Sequence, residues 1–352
     1  MQHRPVQTEL IQVVPPGDGG VSDYLQCLKA QWAAGGVASR VIVLSEELAM
    51  QRSLGDRVGD CLGAPGEQPS RTCAVVLHYS GYGYGRRGLC FWLLDELKAL
   101  RAEHGDGLRL VVVFHELFAS SPPWRSAFWL SHLQATIAAR LARLSDALWT
   151  NTEQHARWLQ GVVGTGKPVC VRPVFCNTGE PDTLPPANLR RPVAVVFGSH
   201  STRQRAFDAL RGHEPRLRML GVEELIEVGG GSATTHCAMP CRSAGRLEVP
   251  ELRELLLEAR FGLLDYPSQF LGKSGVFAAY AAHGCVVLDT CSPGPDTDRL
   301  VAGEHYLSLP TLTRTSMPAD SHIAIAARAA AWYADHRVGD QARELMVLAL
   351  AQ

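Results

Sequence analysis

The residues best suited to chemistry in this 352-residue chain gather where apolar runs end. Gly272-Lys273-Ser274 follows the run 261–264 and opens a small-residue stretch from Gly275 to Ala282. An ammonium, a hydroxyl and the first N–H groups of a helix together make an anion cradle, and phosphate is its natural ligand. Gln269 lies in the same loop. Gly198 and Ser199, with Arg203 and Arg205 just beyond, repeat the arrangement after the run 193–197. Gly19 and Gly20 close a third such loop, 15–20, where missing side chains let a ligand approach the backbone; a tight turn alone accounts for them equally well. His115-Glu116 ends the dense run 110–114, and an imidazole beside a carboxylate can hold or move the proton of a hydroxyl. Tyr79, Tyr82 and Tyr84 alternate with glycine in 78–88 and offer faces for a sugar ring, as does Trp124 further on.

Several better-known motifs are excluded by spacing. A phosphate-binding loop ending in Gly272-Lys273-Ser274 needs glycine five positions earlier, where Pro267 stands. The 15–20 loop is not G-x-G-x-x-G, which removes most of the case for a nicotinamide cofactor. Asp296-Thr297-Asp298 follows a Pro/Gly turn and reads as an exposed turn entering a helix rather than a metal motif. His236, Cys237 and Cys241 lack a second pair at metal-site spacing, so no metal is expected, and most of the ten cysteines sit in apolar runs as small buried hydrophobes.

These residues need a scaffold of strands and helices in alternation, and the chain supplies it. Runs at 9–14, 41–44, 74–77, 110–114, 147–150 and 169–174 alternate with helical patterns. A Pro- and Asn-rich stretch, 177–192, reads as a linker, and runs at 193–197, 261–264 and 285–288 begin a second set. Helices are expected near 22–32, 120–144, 275–282 and 319–336. The fold class is therefore α/β with open parallel sheets, whose ligands sit beyond the carboxyl ends of the strands. Composition agrees with a globular protein: 46% of residues are apolar and 20% charged. A net charge of -1 argues against nucleic acid as a partner. No run reaches membrane-spanning length and no signal pattern opens the chain, so the cytoplasm is the expected compartment. Trp124, Phe128 and Trp129 with neighbouring arginines allow peripheral contact with a membrane's inner face.

The stretch 267–287 resembles the donor-sugar segment of retaining GT-B glycosyltransferases of family four, the glycosyltransferase group 1 type. Its usual form is P-S-x-x-E-G-F-G-x-x-x-x-E-A-x-A-x-G-x-P-V. Pro267, Ser268, Gly272, Gly284 and the valines after it fall on that pattern, while Leu271 and Ala279 stand at the two glutamate positions. The stretch is more closely similar to a bacterial subgroup with F-L-G-K-S-G here. The resemblance implies a GT-B fold of two Rossmann-like domains facing a central cleft. Residues 1–180 would be the acceptor side, 190–320 the nucleotide-sugar donor side, and 321–352 helices that cross back to the first domain. It also implies transfer of a sugar from a nucleotide-diphosphate sugar to a hydroxyl acceptor in glycan or glycoconjugate synthesis, with retention and without cofactor or metal. On this reading Lys273, Ser274 and Arg203 or Arg205 neutralise the diphosphate, and Gln269 or backbone amides hold the sugar. Gly19, Gly20, Gly198, Ser199 and Gly272 admit the donor, His115 and Glu116 act at the reacting groups, and Tyr79, Tyr82, Tyr84 and Trp124 face the acceptor. A non-catalytic binding protein of the same fold is the second reading, and a sugar-nucleotide epimerase the third.

Overall fold

Parallel strands covered on both faces must be apolar at nearly every position, and the runs of this chain assemble in that way. The computed structural model describes residues 9–62, 73–119, 126–231, 237–313 and 321–351, apart from the side chains of 126 and 127. It divides into two compact units, residues 1–172 with 338–352 and residues 173–337.

The first unit runs β1 (Glu9–Val14), α1 (Gly20–Ala34), β2 (Ser39–Val43), α2 (Glu46–Gln51), α3 (Leu54–Leu62), β3 (Cys73–Tyr79), α4 (Gly81–Tyr84), α5 (Phe91–His104), β4 (Leu108–Phe114), α6 (Ser126–Leu144), β5 (Ala147–Thr150), α7 (Glu153–Val163) and β6 (Val169–Val171). Its six strands lie in the order β2-β1-β3-β4-β5-β6. The order reverses between β1 and β3, and their carboxyl ends flank the crevice that open α/β sheets use for ligands. β3 is longer than the sequence run suggests: it continues through His78 and Tyr79, paired with Val113 and Phe114 of β4. Thr152 caps α7 by accepting from the His155 N–H at 3.2 Å.

The second unit runs β7 (Arg191–Phe197), α8 (His200–Leu210), α9 (Glu214–Met219), β8 (Glu224–Val228), β9 (Cys241–Ser243), α10 (Val249–Glu258), β10 (Ala259–Leu264), α11 (Gly275–Ala282), β11 (Val286–Asp289), β12 (Leu307–Ser308) and α12 (Ser321–Ala334). Its order is β12-β11-β10-β7-β8-β9, so the reversal falls between β7 and β10. Separate apolar cores lie on the two faces. Val193, Val195 and Phe197 join one, and the alternating Ala194 and Val196 join the other. α11 is apolar all round because it is covered all round. Its Tyr280 hydroxyl donates to the carbonyls of Val195 (2.6 Å) and Leu263 (3.1 Å), fixing the helix over the β7/β10 reversal.

The last helix, α13 (Val338–Leu350), belongs to the first unit. The Trp32 indole of α1 donates to the Ala342 carbonyl at 2.7 Å. Arg172 grips Glu344 with two hydrogen bonds, 2.7 and 3.0 Å, and Arg109 Nε donates to the Leu348 carbonyl at 3.0 Å.

The 296–298 segment departs from the exposed turn expected of it. Thr297 and Asp298 are buried, and the Asp298 carbonyl accepts from the Trp332 indole at 2.8 Å. A Cβ on Gly272 would meet the Asp298 carboxylate at 2.5 Å. Glycine at 272 is thus a packing requirement of the loop.

Candidate active site

In the second unit, Asp265 follows the last residue of β10, and a 3-10 turn over Ser268–Lys273 leads into α11. Ser274 is the N-cap: it is buried, and its hydroxyl accepts from the Phe277 N–H at 3.2 Å. Lys273 is half-buried beside the helix start, with Nζ 5.1 Å from the Phe270 ring centroid. Gln269 is half-buried in the same turn. Positive charge and a helix N-terminus therefore stand together at the sheet reversal. Gly272 is buried, and its carbonyl accepts from the Val174 N–H at 2.7 Å.

Across the reversal, Gly198 leaves β7 with φ +125°, a conformation suited to glycine. Ser199 caps α8, accepting from the Thr202 N–H at 3.2 Å. The two arginines part ways. Arg205 is exposed, with Nε 3.8 Å from the Asp265 carboxylate, so it reaches the carboxyl end of β10. Arg203 corrects the expectation of a phosphate ligand. It is 1% exposed, pairs with Glu227 at 2.9 Å, and donates to the carbonyls of Gly198, Gly230 and Gly231. Its fork is consumed in holding the two loops after β7 and β8. The clamp dictates Gly229, where a Cβ would lie 1.8 Å from Arg203 Nη1.

Two acids that the sequence reading passed over lie beside this site. Asp265 Oδ1 accepts from Thr290 Oγ1 at 2.7 Å. Asp289, at the end of β11, accepts from the Tyr266 and Cys291 N–H groups at 3.2 and 3.0 Å, and its Oδ2 is buried without a hydrogen-bond partner among the described residues. Burial pushes its carboxyl up to about 7, against the lowering effect of those two N–H bonds, and nearby Asp265 adds to the rise. An acidic residue closing each of two neighbouring strands was the available signal.

In the first unit, Gly19 is the N-cap of α1, which starts at Gly20 rather than near Ser22. A Cβ on either glycine would meet nothing within 4 Å, so the backbone at this helix start is open to a ligand. At the ends of β3 and β4, His115 Nε2 lies 3.2 Å from His78 Nδ1, and His78 Nε2 lies 3.2 Å from Gln12 Oε1. Gln12 Nε2 donates to Ser39 Oγ at 3.0 Å. In this orientation of the amide, Gln12 Oε1 accepts from the His78 Nε2–H, and His78 Nδ1 accepts from His115 Nε2. His78 is wholly buried, and burial, with the charge of His115, holds its pKa well below the usual value. The Tyr24 ring packs edge-on against both imidazoles. Polar Gln12 and His78 inside apolar strands were the trace of this relay in the sequence. Glu116 is exposed and accepts from Ser80 Oγ at 3.1 Å.

The tyrosines separate. Tyr79 and Tyr84 are core residues, correcting their assignment to an acceptor surface. Tyr79 stands against Phe114 and Tyr84, and the Tyr84 hydroxyl donates to the Val13 carbonyl at 3.2 Å. The strand extension buries the first and the helical turn of α4 buries the second. Tyr82, 52% exposed, keeps an accessible ring. Trp124 lies outside the described residues. Among the described residues no cluster of His, Cys, Asp and Glu is arranged to hold a metal ion, and no helix is long and apolar enough to cross a membrane.

No known family profile matches the sequence, and no curated protein matches it. Solved structures do. An α,α-trehalose 6-phosphate synthase from Burkholderia multivorans aligns with a TM-score of 0.57 at 11% identity, over 97% of this chain and 96% of that one. An alpha-glucosyltransferase in complex with UDP and a 13-mer DNA containing a HMU base aligns at 0.56 and 9% identity, over 98% and 100%. WaaG, a glycosyltransferase involved in lipopolysaccharide biosynthesis, aligns at 0.54 and 13% identity, over 98% and 100%. At such identities the likeness is one of fold. The chain has the α/β architecture of the GT-B glycosyltransferases, with two six-stranded parallel sheets.

Proposed function

We propose that the protein is a glycosyltransferase that moves a sugar from a nucleotide-diphosphate sugar to a hydroxyl acceptor, with retention, in glycan or glycoconjugate synthesis at the cytoplasmic side. The observation that carries this reading is Lys273 beside the capped N-terminus of α11, at the strand reversal of a chain with the GT-B architecture. In the transfer, the bond between the sugar's anomeric carbon and the diphosphate breaks and its electron pair leaves on the diphosphate. Lys273, the first N–H groups of α11 and Arg205 stabilise that charge. Gln269 contacts the sugar, and Gly198, Ser199, Gly19 and Gly20 let backbone N–H groups approach. The acceptor oxygen forms the new bond to the anomeric carbon, and its proton passes to Glu116. His115, held beside buried His78 and Gln12, contacts a substrate hydroxyl near the reacting groups. Tyr82 supplies an acceptor-side ring. No cofactor or metal takes part in this scheme.

A second reading, a binding protein of the same fold without turnover, draws on Leu271 and Ala279. Both side chains are buried, 1% and 0% exposed, at the positions where the related pattern has its glutamates. Thermal stabilisation by a panel of nucleoside diphosphates tests both. A ligand at a hundred times its dissociation constant adds about 2.7 kcal/mol. The proposal expects one diphosphate to stabilise the wild type, Lys273→Ala to lose the effect, and the matching nucleotide sugar to be consumed once an acceptor is present. Stabilisation without consumption across an acceptor panel selects the second reading. No stabilisation by any diphosphate refutes the assigned site.

A further inference from the structure

At the opposite end of the second unit's strands, where β7, β10 and β11 begin, lies a cavity of about 210 Å3. Its ionisable lining is Arg190, Arg260 and His322, and no acidic residue lines it among the described residues. Arg190 is 4% exposed. Its Nη1 donates to the Ala259 carbonyl at 3.3 Å, and its Nε is buried without a partner. Arg260 Nη2 donates to the backbone carbonyl of Arg190 at 3.1 Å, which holds the second guanidinium at the same wall. The nearby glutamates are engaged by the adjacent Arg191, which lies 3.9 Å from Glu224 and 3.4 Å from Glu258. Among the described residues neither Arg190 nor Arg260 forms an ion pair. A buried guanidinium without a counter-charge is costly to hold, and proteins pair such groups or bind an anion with them. Of the remaining wall, Gly284, Val286 and Ala326 are buried and apolar, Ile323 stands exposed at the rim, and Ala187 and the exposed Asn188 complete it.

We propose that this cavity binds a small oxyanion, a phosphate monoester or a carboxylate on an apolar stem, whose charge completes Arg190 and Arg260. The planar forks of two guanidinium groups match either head group. The stem lies along Val286 and Ala326. The volume is below the roughly 300–1,000 Å3 of pockets for drug-sized ligands, which excludes a nucleotide sugar. The cavity is also separate from the strand-end loops, since β7 spans its seven residues, about 20 Å, between the two. Burial and the charge of Arg260 both hold His322 below its usual pKa, and a bound anion would favour its protonated form.

Isothermal titration of the full chain with phenyl phosphate, benzoate and inorganic phosphate tests the proposal, using wild type, Arg260→Gln, Arg190→Gln and Lys273→Ala. Phenyl phosphate or benzoate should bind saturably at one site, about tenfold or more weaker in Arg260→Gln and equally well in Lys273→Ala. The probe that binds assigns the head group: phenyl phosphate alone means a dianion, benzoate a carboxylate. If Arg190→Gln fails to fold, Arg260→Gln carries the test with Ile323→Trp, which should block the rim and abolish binding. The proposal is overturned by no saturable binding of any probe, by binding that Arg260→Gln leaves unchanged, or by binding lost in Lys273→Ala.

Discussion

Replacing Asp289 by Asn should remove a loss of stability that the second unit suffers as pH rises. The Asp289 carboxyl is wholly buried, and burial pushes it up to about 7 in the folded chain, from an ordinary value of 3.8. Between about pH 4 and pH 7 the unfolded chain has therefore released a proton that the folded chain keeps. Stability then falls as pH rises, by about 1.4 kcal/mol per unit. Over a shift of roughly three units the loss approaches 4 kcal/mol, fully developed above pH 7. Asn keeps the oxygen that accepts from the Tyr266 and Cys291 N–H groups and has no charge to bury. Asp289→Asn should thus match or fall slightly below the wild type at pH 4 and exceed it by about 4 kcal/mol at pH 8. Urea unfolding followed by fluorine NMR of fluorotryptophan-labelled protein isolates the relevant transition, because Trp332 is the sole tryptophan between residues 173 and 337. Taking mutant minus wild type cancels every other titrating group. Parallel stability profiles from pH 4 to 8 would refute the reasoning, since they would mean that Asp289 ionises in the folded chain as it does in the unfolded one.

Gly229→Ala should cost about 3–5 kcal/mol in urea unfolding, because its Cβ displaces the Arg203 guanidinium from Glu227. Glu227→Gln should cost a similar amount, and the double change Arg203→Met/Glu227→Leu should recover most of it, as replacing both members of a buried pair usually does. Ala279→Glu, which restores a glutamate of the related pattern, should destabilise by several kcal/mol rather than raise activity, since the side chain enters a closed core. His78→Phe should lower turnover about tenfold or more with nucleoside diphosphate binding unchanged, read as a fall in kcat at constant Kd.

Most of the scaffold could be read from the chain because parallel strands declare themselves as unbroken apolar runs and their ends locate the loops. Helix α11 and its stop at Gly284, φ +68°, follow the small-residue stretch and its glycine. The failures have particular causes. Arg203 shares a helical stripe with Ala206, Phe207 and Leu210, the buried face of α8, so its spacing placed it inward while Arg205 faced solvent. A positive charge invited a ligand reading that the periodicity opposed. Tyr79 was missed as core because polar His78 hid the continuation of β3. The His78–Gln12 relay and the Asp289 carboxyl needed strand register to become visible, and a single sequence does not print register.

The return of α13 to the first unit has a consequence for how the chain comes to be folded. Residues 173–337 are contiguous, so that unit has all its own pieces as soon as its last helix leaves the ribosome. The first unit does not. Its Trp32 donor must wait some three hundred residues, and β3 and β4 over two hundred, for the helix that covers them. Of the two units, the one made earlier is thus completed later, and in the interval its apolar seam lies uncovered.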